Sequence, residues 1–103
     1  MKIALGSDHG GLAYKTSLTH HLLKQGHNVI DCGTFSEESC DYPIFAFAAA
    51  EKVAKKEADF GILVCTTGEG IMIAANKVHG IRCALGYNDE VTVLSRQHNN
   101  ANM

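Results

Sequence analysis

The chain has 103 residues, of which 46% are hydrophobic and 19% are charged, and its formal net charge is −2. This length predicts a single domain, residues 1–103, with one hydrophobic core. The mildly acidic balance and the lack of a basic block argue against nucleic acid binding. No apolar run reaches the roughly 18–20 residues that a membrane span needs, so we expect no membrane association either.

The N-terminus and the cysteines together predict a cytoplasmic protein. Residues 1–6 are too few for a signal peptide and read directly as a strand. The four cysteines form no C-x-x-C pair and no dense framework, which favours reduced thiols. Cys32 and Cys83 lie in or at the ends of apolar runs, so we expect them to pack in the core or along its wall.

Apolar strand-like runs alternate with segments of helical periodicity along the whole chain. The predicted strands are 2–6, 28–32, 60–65 and 81–85, and the predicted helices are 11–25, 42–57, 70–77 and 89–98. This alternation predicts an α/β protein: a three-layer, Rossmann-like fold with a parallel sheet of order 2-1-3-4 and helices on both faces. In the first helix a stripe of leucines marks the buried face, and Lys15 and Lys24 are expected to face water.

The predicted topology places a ligand site. In doubly wound sheets, ligands bind beyond the carboxyl ends of the strands, at the point where the strand order reverses. With the order 2-1-3-4, that point lies between the first and third strands. The loops there are residues 6–11 and 65–70, which also carry the most reactive side chains of the chain.

Cys65 stands where a buried strand runs into a glycine-broken turn and then into an apolar helix. The positive end of a helix favours the thiolate form of a cysteine, which makes Cys65 a candidate base or nucleophile. The turn Gly68-Glu69-Gly70 matches neither a Walker A loop nor G-x-G-x-x-G. Its backbone donors suit an oxyanion or an enediolate oxygen. The alternative is a tight turn that needs positive φ.

Asp8 and His9 follow the first strand and precede two glycines. They could hold sugar hydroxyls, or a phosphate if His9 is charged. Alternatively, Asp8 caps the first helix and His9 is solvated. His98 ends the last helix, where a histidine is usually a solvated residue stabilised by the helix dipole. No His, Cys or carboxylate pair has metal-ligand spacing, so we predict no metal.

Several segments in the right order resemble the ribose-5-phosphate isomerase B family, whose relatives include the galactose-6-phosphate isomerase subunits. The segments that carry the resemblance are residues 6–11, 29–34, 41–43, 65–71, 74–77, 80–82 and 95–99. The resemblance runs the length of the chain. It implies reversible aldose–ketose isomerisation of a pentose 5-phosphate through a cis-enediolate, without metal or cofactor.

The resemblance also assigns the catalytic turn. Cys65 matches the family's base, which moves a proton between C1 and C2 of the sugar. The residues that match the turn around the sugar and the enediolate oxygen are Thr66, Thr67, Gly68, Glu69 and Gly70, with Thr67 in an assisting role. In part of the family a glutamate replaces the cysteine as base; here that position is Ile71. This chain therefore resembles the cysteine type, and Glu69 is not the expected base.

Further substrate contacts come from outside that turn. By resemblance, Asp8 and His9 match substrate-binding positions, with His9 on the phosphate side. His98 matches the histidine that opens the furanose ring, and Asn99 matches a substrate contact. The resemblance implies a homodimer, or a dimer of dimers, in which His98 faces the partner's Cys65 across the interface.

The expected ligand is a small sugar phosphate, and two alternatives to the ribose 5-phosphate reaction remain. One is a galactose-6-phosphate or allose-6-phosphate isomerase with the same chemistry. The other is an inactive, truncated partner subunit that only binds sugar phosphate. The family normally continues beyond the segment that matches residues 95–99, with a further strand, a closing helix and phosphate-binding arginines. Without them we expect residues 81–85 to form an open sheet edge and phosphate binding to be weak.

Overall fold

The computed structural model describes all 103 residues. The strands are β1 (Lys2–Ser7), β2 (Asn28–Asp31) and β3 (Phe60–Val64), and the helices are α1 (Leu12–Lys24), α2 (Tyr42–Ala54), α3 (Glu69–Ala75) and α4 (Asp89–Asn99). The short 3-10 turn His9–Gly11 leads into α1. The strands form a parallel sheet of order β2-β1-β3, which confirms the α/β class. No helix combines the length and the hydropathy needed to cross a membrane.

Successive side chains of β1 point to opposite faces of the sheet, and helices pack on both faces. On one face, Ile3 and Leu5 pack with Leu22 of α1. On the other face, Ala4 packs with the α2 residues Ala49 and Ala50. The predicted three-layer arrangement is therefore confirmed, with small residues between β1 and α2.

The start of α2 and the end of α1 follow local sequence signals. Pro43 lies in the first turn of α2, where its missing N–H costs no helical hydrogen bond. After α1, Gly26 takes a φ of +88°, the left-handed conformation that ends a helix and that glycine adopts without strain. Both boundaries lie within a few residues of the predicted ones.

The predicted fourth strand is wrong, and so is the order 2-1-3-4 beyond β3. Residues 81–85 form no strand. The neighbour of β3 is instead the end of the chain: the Gly61 N–H donates to the Asn102 carbonyl (3.0 Å). On the far side, the Asn102 N–H donates to Arg82 O and the Ala84 N–H donates to Met103 O, both at 3.0 Å. Because residues 102–103 separate the segment 81–85 from β3, that segment has no continuous ladder to join.

We expected residues 81–85 to form an open sheet edge, but the backbone groups of Cys83 already have hydrogen-bond partners. The side-chain amide of Asn76 donates to the Cys83 carbonyl (2.8 Å) and accepts from the Cys83 N–H (2.8 Å). These two hydrogen bonds occupy the backbone groups that another strand would use. The backbone of Cys83 is therefore closed to a further strand.

Lys15 is buried, contrary to the expectation that it faces water. Its side chain is 2% exposed, and Nζ lies 2.5 Å from Asp31 Oδ1 and 2.6 Å from the Thr34 carbonyl. The physical reason is that α1 packs over the end of β2, where a carboxylate and a carbonyl satisfy the ammonium group. Lys24 is exposed as predicted.

We predict that Lys15→Met lowers the free energy of unfolding by about 1–3 kcal/mol, because it leaves the Thr34 carbonyl and Asp31 without their donor. The loss stays in this range because the Asp31 side chain is 37% exposed and water can solvate it. Urea unfolding measures the change. The matched control, Lys24→Met on the exposed side of α1, should stay within about 0.5 kcal/mol. Equal midpoints for the two variants would contradict the prediction.

Candidate active site

The loops after β1 and β3 pack directly against each other, as the predicted topology requires. The Asp8 N–H donates to the Val64 carbonyl (3.2 Å). A Cβ on Gly11 would lie 2.4 Å from that carbonyl oxygen, and one on Gly10 would lie 2.8 Å from Thr66 Oγ1. Because any side chain at these positions would collide with the opposite loop, the two glycines permit the close approach. The structure thus joins the two predicted halves of the site.

Cys65 is half-buried at the end of β3, and its thiol faces the turn that follows. The Gly68 N–H donates to Cys65 Sγ at 3.0 Å. Gly68 has a φ of +83°, and a Cβ there would lie 2.9 Å from the Leu85 side chain. The turn thus requires the positive φ that the alternative interpretation named. It also aims a backbone donor at the sulfur, and such a donor stabilises negative charge there.

The turn holds fewer free donors than the sequence suggested. The Gly68 N–H serves the sulfur, and the Glu69 N–H donates to Thr67 Oγ1 (3.2 Å). The first N–H groups of a helix have no partner within the helix. In α3 these include the N–H groups of Gly70 and Ile71, which donate to no other group of the chain. The N–H groups of Gly70 and Ile71 are therefore available to an anion.

Asp8 caps the 3-10 turn His9–Gly11 and not α1 itself, which differs from the predicted capping of the first helix by one short turn. Its Oδ1 accepts from the Gly11 N–H (2.9 Å), and the residue is 9% exposed. Oδ2 takes part in no hydrogen bond within the chain. The capping role therefore leaves one carboxylate oxygen for a ligand.

His9 is exposed beside the residues that precede α2. Its Nδ1 accepts from the Cys40 backbone N–H at 3.3 Å and lies 3.8 Å from Cys40 Sγ. An accepting Nδ1 places the proton of the neutral ring on Nε2. His9 is the only basic side chain in the two loops, since residues 8–11 and 65–70 contain no Lys or Arg.

Tyr42 lies beside both Asp8 and the Cys65 turn, although no role was predicted for it. A cavity of about 410 Å³ lies beside Asp8 and is lined by Asp8, Cys40, Asp41, Tyr42, Pro43 and Ile44. A Cβ on Gly70 would lie 2.6 Å from the Tyr42 ring, so the ring also contacts the Cys65 turn. The motif at residues 41–43 was the available signal, because it forms part of the resemblance.

His98 and Asn99 lie apart from these loops. His98 is exposed at the end of α4, and no hydrogen bond joins it to the Cys65 turn. The Asn99 carbonyl accepts from Arg82 Nε (2.5 Å), and Asn99 lines a separate cavity with Arg82 and Asn76. Within one chain, the predicted site residues therefore form two groups, one at the Cys65 turn and one at the end of α4.

Neither arginine of the chain is free near the Cys65 turn. Arg82 donates to Asn99 O, and Arg96 donates to the Ala101 carbonyl (2.5 Å) and lies over the Phe60 ring. No group of three His, Cys, Asp or Glu side chains is placed to hold a metal ion. A ligand at the turn would therefore meet hydroxyls, backbone donors, a carboxylate and one imidazole.

The other two half-buried thiols of the sheet region differ from Cys65 in their surroundings. Cys32 and Cys83 pack against the main core, which confirms the sequence prediction. Burial raises the pKa of Cys83 to about 11 and also raises the pKa of Cys32. Both are neutral thiols at pH 7, so neither can act as the base of the site.

The raised pKa of Cys83 predicts how it reacts with iodoacetamide. The thiolate is the reactive form, so labelling of Cys83 should speed up about tenfold per pH unit and show no plateau below pH 10. Mass spectrometry of tryptic peptides measures the rate at each cysteine separately. A rate at Cys83 that levels off near pH 8 would contradict the prediction.

The ribose/galactose isomerase family matches residues 3–103 of this chain. Ribose-5-phosphate isomerase B of Mycolicibacterium paratuberculosis is 45% identical over 104 residues, which cover 100% of this chain and 65% of that protein. The chain thus spans just under two thirds of the length of this relative.

Solved structures agree with the fold along nearly the whole chain. Ribose-5-phosphate isomerase B of Clostridium thermocellum is 52% identical with a TM-score of 0.98, covering 99% of this chain and 69% of that one. The Mycoplasma genitalium enzyme with bound ribulose-5-phosphate is 45% identical with a TM-score of 0.92, covering 98% and 68%.

Proposed function

This chain belongs to the ribose/galactose isomerase family, and on that premise we propose that it interconverts ribose 5-phosphate and ribulose 5-phosphate, with Cys65 as the base. One observation carries the proposal: Cys65 Sγ accepts a backbone N–H at the point where the loops after β1 and β3 meet. The relative from Mycoplasma genitalium, solved with ribulose-5-phosphate, supports the substrate class.

The proposed reaction moves two protons, one between carbons and one between oxygens, and needs no oxidant. The Cys65 thiolate takes the proton from C2 of the open-chain aldose. The C2–H electron pair forms a C1=C2 double bond, and the carbonyl oxygen on C1 becomes an enediolate oxygen. After a proton passes from the C2 hydroxyl to that oxygen, Cys65 returns its proton to C1 and C2 becomes the ketone. General base catalysis of this kind contributes about 10²–10⁴-fold to the rate.

The free donors of α3 fit the charge that develops on oxygen. We assign the Gly70 and Ile71 N–H groups to the enediolate, since both lack a partner within the chain. Thr67 Oγ1 accepts from the Glu69 N–H, so its own hydroxyl hydrogen remains available to a substrate oxygen. Fixed donors that need no rearrangement are effective at stabilising such charge.

Three further substrate contacts are proposed from where Asp8, Thr66 and His9 lie. Asp8 Oδ2 can accept from a sugar hydroxyl, because only Oδ1 is engaged in capping. Thr66 lies over Gly10 and places its hydroxyl between the two loops. His9, the only basic side chain of the two loops, is the proposed phosphate contact.

His98 and Asn99 are proposed to act across a dimer interface. Both are exposed, and neither contacts the Cys65 turn of its own chain. A two-fold arrangement would bring the end of each α4 to the turn of the other subunit. His98 would then serve as the acid that opens the furanose ring, as the resemblance implies.

We predict that Cys65→Ala reduces kcat for ribose 5-phosphate by about 10²–10⁴-fold, because the base is removed. The control is Cys32→Ala, which alters a thiol packed against the main core outside the turn and should leave kcat within about twofold. Coupled detection of ribulose 5-phosphate measures the rates, and thermal melting verifies that both variants are folded. Near-normal turnover by Cys65→Ala would exclude the cysteine base.

Mixed dimers test the shared site. Cys65→Ala and His98→Ala should each be inactive alone, yet co-expression should recover about a quarter of the normal activity, since one site of each heterodimer is intact. Activity that stays at the level of the separate variants would place both residues in the same subunit's site, or His98 outside it.

Substrate comparison separates the remaining alternatives. Turnover of ribose 5-phosphate should exceed that of allose 6-phosphate and galactose 6-phosphate, because the relative solved with a ligand holds a pentose phosphate. Faster turnover of a hexose phosphate would favour the hexose reaction. Binding of sugar phosphate without proton exchange at C2 in deuterated water would instead indicate a binding subunit.

A further inference from the structure

Two segments of the family resemblance, residues 74–77 and 80–82, have no part in the proposed reaction. Each contributes a polar side chain, Asn76 or Arg82, whose hydrogen bonds reach the backbone of another segment. Asn76 lies at the end of α3, the helix that begins at the Cys65 turn. Arg82 bonds to the last turn of α4. The two segments therefore connect the helix beside the proposed base to the helix that carries the proposed acid.

The backbone around Arg82 is held by side chains of other segments. The Arg82 N–H donates to Asn102 Oδ1 (2.9 Å), and the Arg82 carbonyl accepts from the Asn102 N–H (3.0 Å). At the next residue, the Asn76 side chain donates to the Cys83 carbonyl and accepts from the Cys83 N–H, each at 2.8 Å. The Asn76 amide also donates to Met72 O (3.1 Å) within α3. The backbone of Arg82 is therefore anchored, through Cys83, to the end of α3.

The guanidinium group of Arg82 holds the end of α4. Its Nε donates to the Asn99 carbonyl at 2.5 Å. The last carbonyls of a helix have no partner within the helix and form the negative end of its dipole, so a cationic donor there is stabilising. Arg96 also bonds at this end, to Asn100, but it belongs to α4 itself. Among side chains outside α4 and its cap, Arg82 alone donates to residues 96–99.

We propose that Arg82 is a positioning residue of the isomerase reaction: it holds the turn of α4 that presents His98 and Asn99 to the site of the partner subunit. This role rests on the proposed function, in which His98 opens the furanose ring. His98 directly precedes Asn99, so a shift of the Asn99 carbonyl moves His98 as well. Misplacement of a catalytic group by about 1 Å can cost about 10²-fold in rate. Arg82 acts through this turn and transfers no proton itself.

Two observations favour positioning over a general contribution to stability. Arg82 is exposed and forms no salt bridge, so its side chain neither fills the core nor neutralises a carboxylate. A cavity of about 350 Å³ is lined by Asn76, Arg82 and Asn99. Because no side chain fills this space, packing does not fix the separation between the end of α3 and the end of α4. The hydrogen bond from Arg82 to Asn99 does so instead.

The two sugars of the reaction separate a positioning role from a structural one. Ribulose 5-phosphate has no furanose ring, because its C5 oxygen carries the phosphate, so its conversion to the enediolate needs Cys65 but no ring-opening acid. Arg82→Met keeps the aliphatic length without a donor and should lower kcat for ribose 5-phosphate about 10–10²-fold. In deuterated water, the same variant should exchange the C1 proton of ribulose 5-phosphate within about twofold of the normal rate. Arg82→Lys restores a cationic donor and should bring kcat back to within about threefold.

Amide hydrogen exchange tests the position of the turn without any sugar. In Arg82→Met, the amide protons of residues 97–100 should exchange about fivefold faster, because the last turn of α4 has lost a hydrogen bond. The control Lys24→Met removes an exposed cation from α1 and should leave these rates unchanged. Thermal melting verifies that the variants are folded. If Arg82→Met does not fold, Asn76→Ala loosens the same segment through Cys83 and should give a smaller loss with the same selectivity.

The outcomes distinguish this inference from the proposed function. Unchanged exchange at residues 97–100, or equal losses of both sugar reactions in a folded variant, would overturn the role of Arg82. Absence of turnover by the unaltered chain would count against the isomerase function, and the exchange rates would still decide whether Arg82 holds the turn.

Discussion

The close contact between the loops after β1 and β3 is the constraint on which the rest of the site depends. The backbone of Gly10 and Gly11 lies against Val64 and Thr66 with no space for a side chain. This contact brings the free oxygen of Asp8 to the same sheet edge as the Cys65 turn. A bulkier residue at Gly11 would collide with the Val64 carbonyl and push the two loops apart.

The cysteines differ in their chemistry because their surroundings in the fold differ. Cys65 accepts a backbone N–H at the end of β3, while Cys83 is surrounded by core residues that raise its pKa. The same burial that stabilises the core thus keeps Cys83 protonated, and the exposed turn leaves Cys65 available to a ligand. The fold therefore decides which of the thiols is available to a ligand.

The Cys65 turn has free N–H groups and no arginine, and the proposed acid, His98, lies on another surface of the same chain. The base and the acid of the proposed reaction are therefore too far apart to act together within one chain. The proposed dimer would bring the two groups together.

The sequence by itself determined the strand–helix alternation, the parallel sheet through β3 and the meeting of the two loops, because these follow from local periodicity and from topology. Tertiary structure decided what depends on neighbours distant in sequence. Lys15 is buried because Asp31 and Thr34 meet it, and residues 81–85 are not a strand because Asn102 takes the edge of β3. Such partners leave no local pattern, so only the folded chain identifies them.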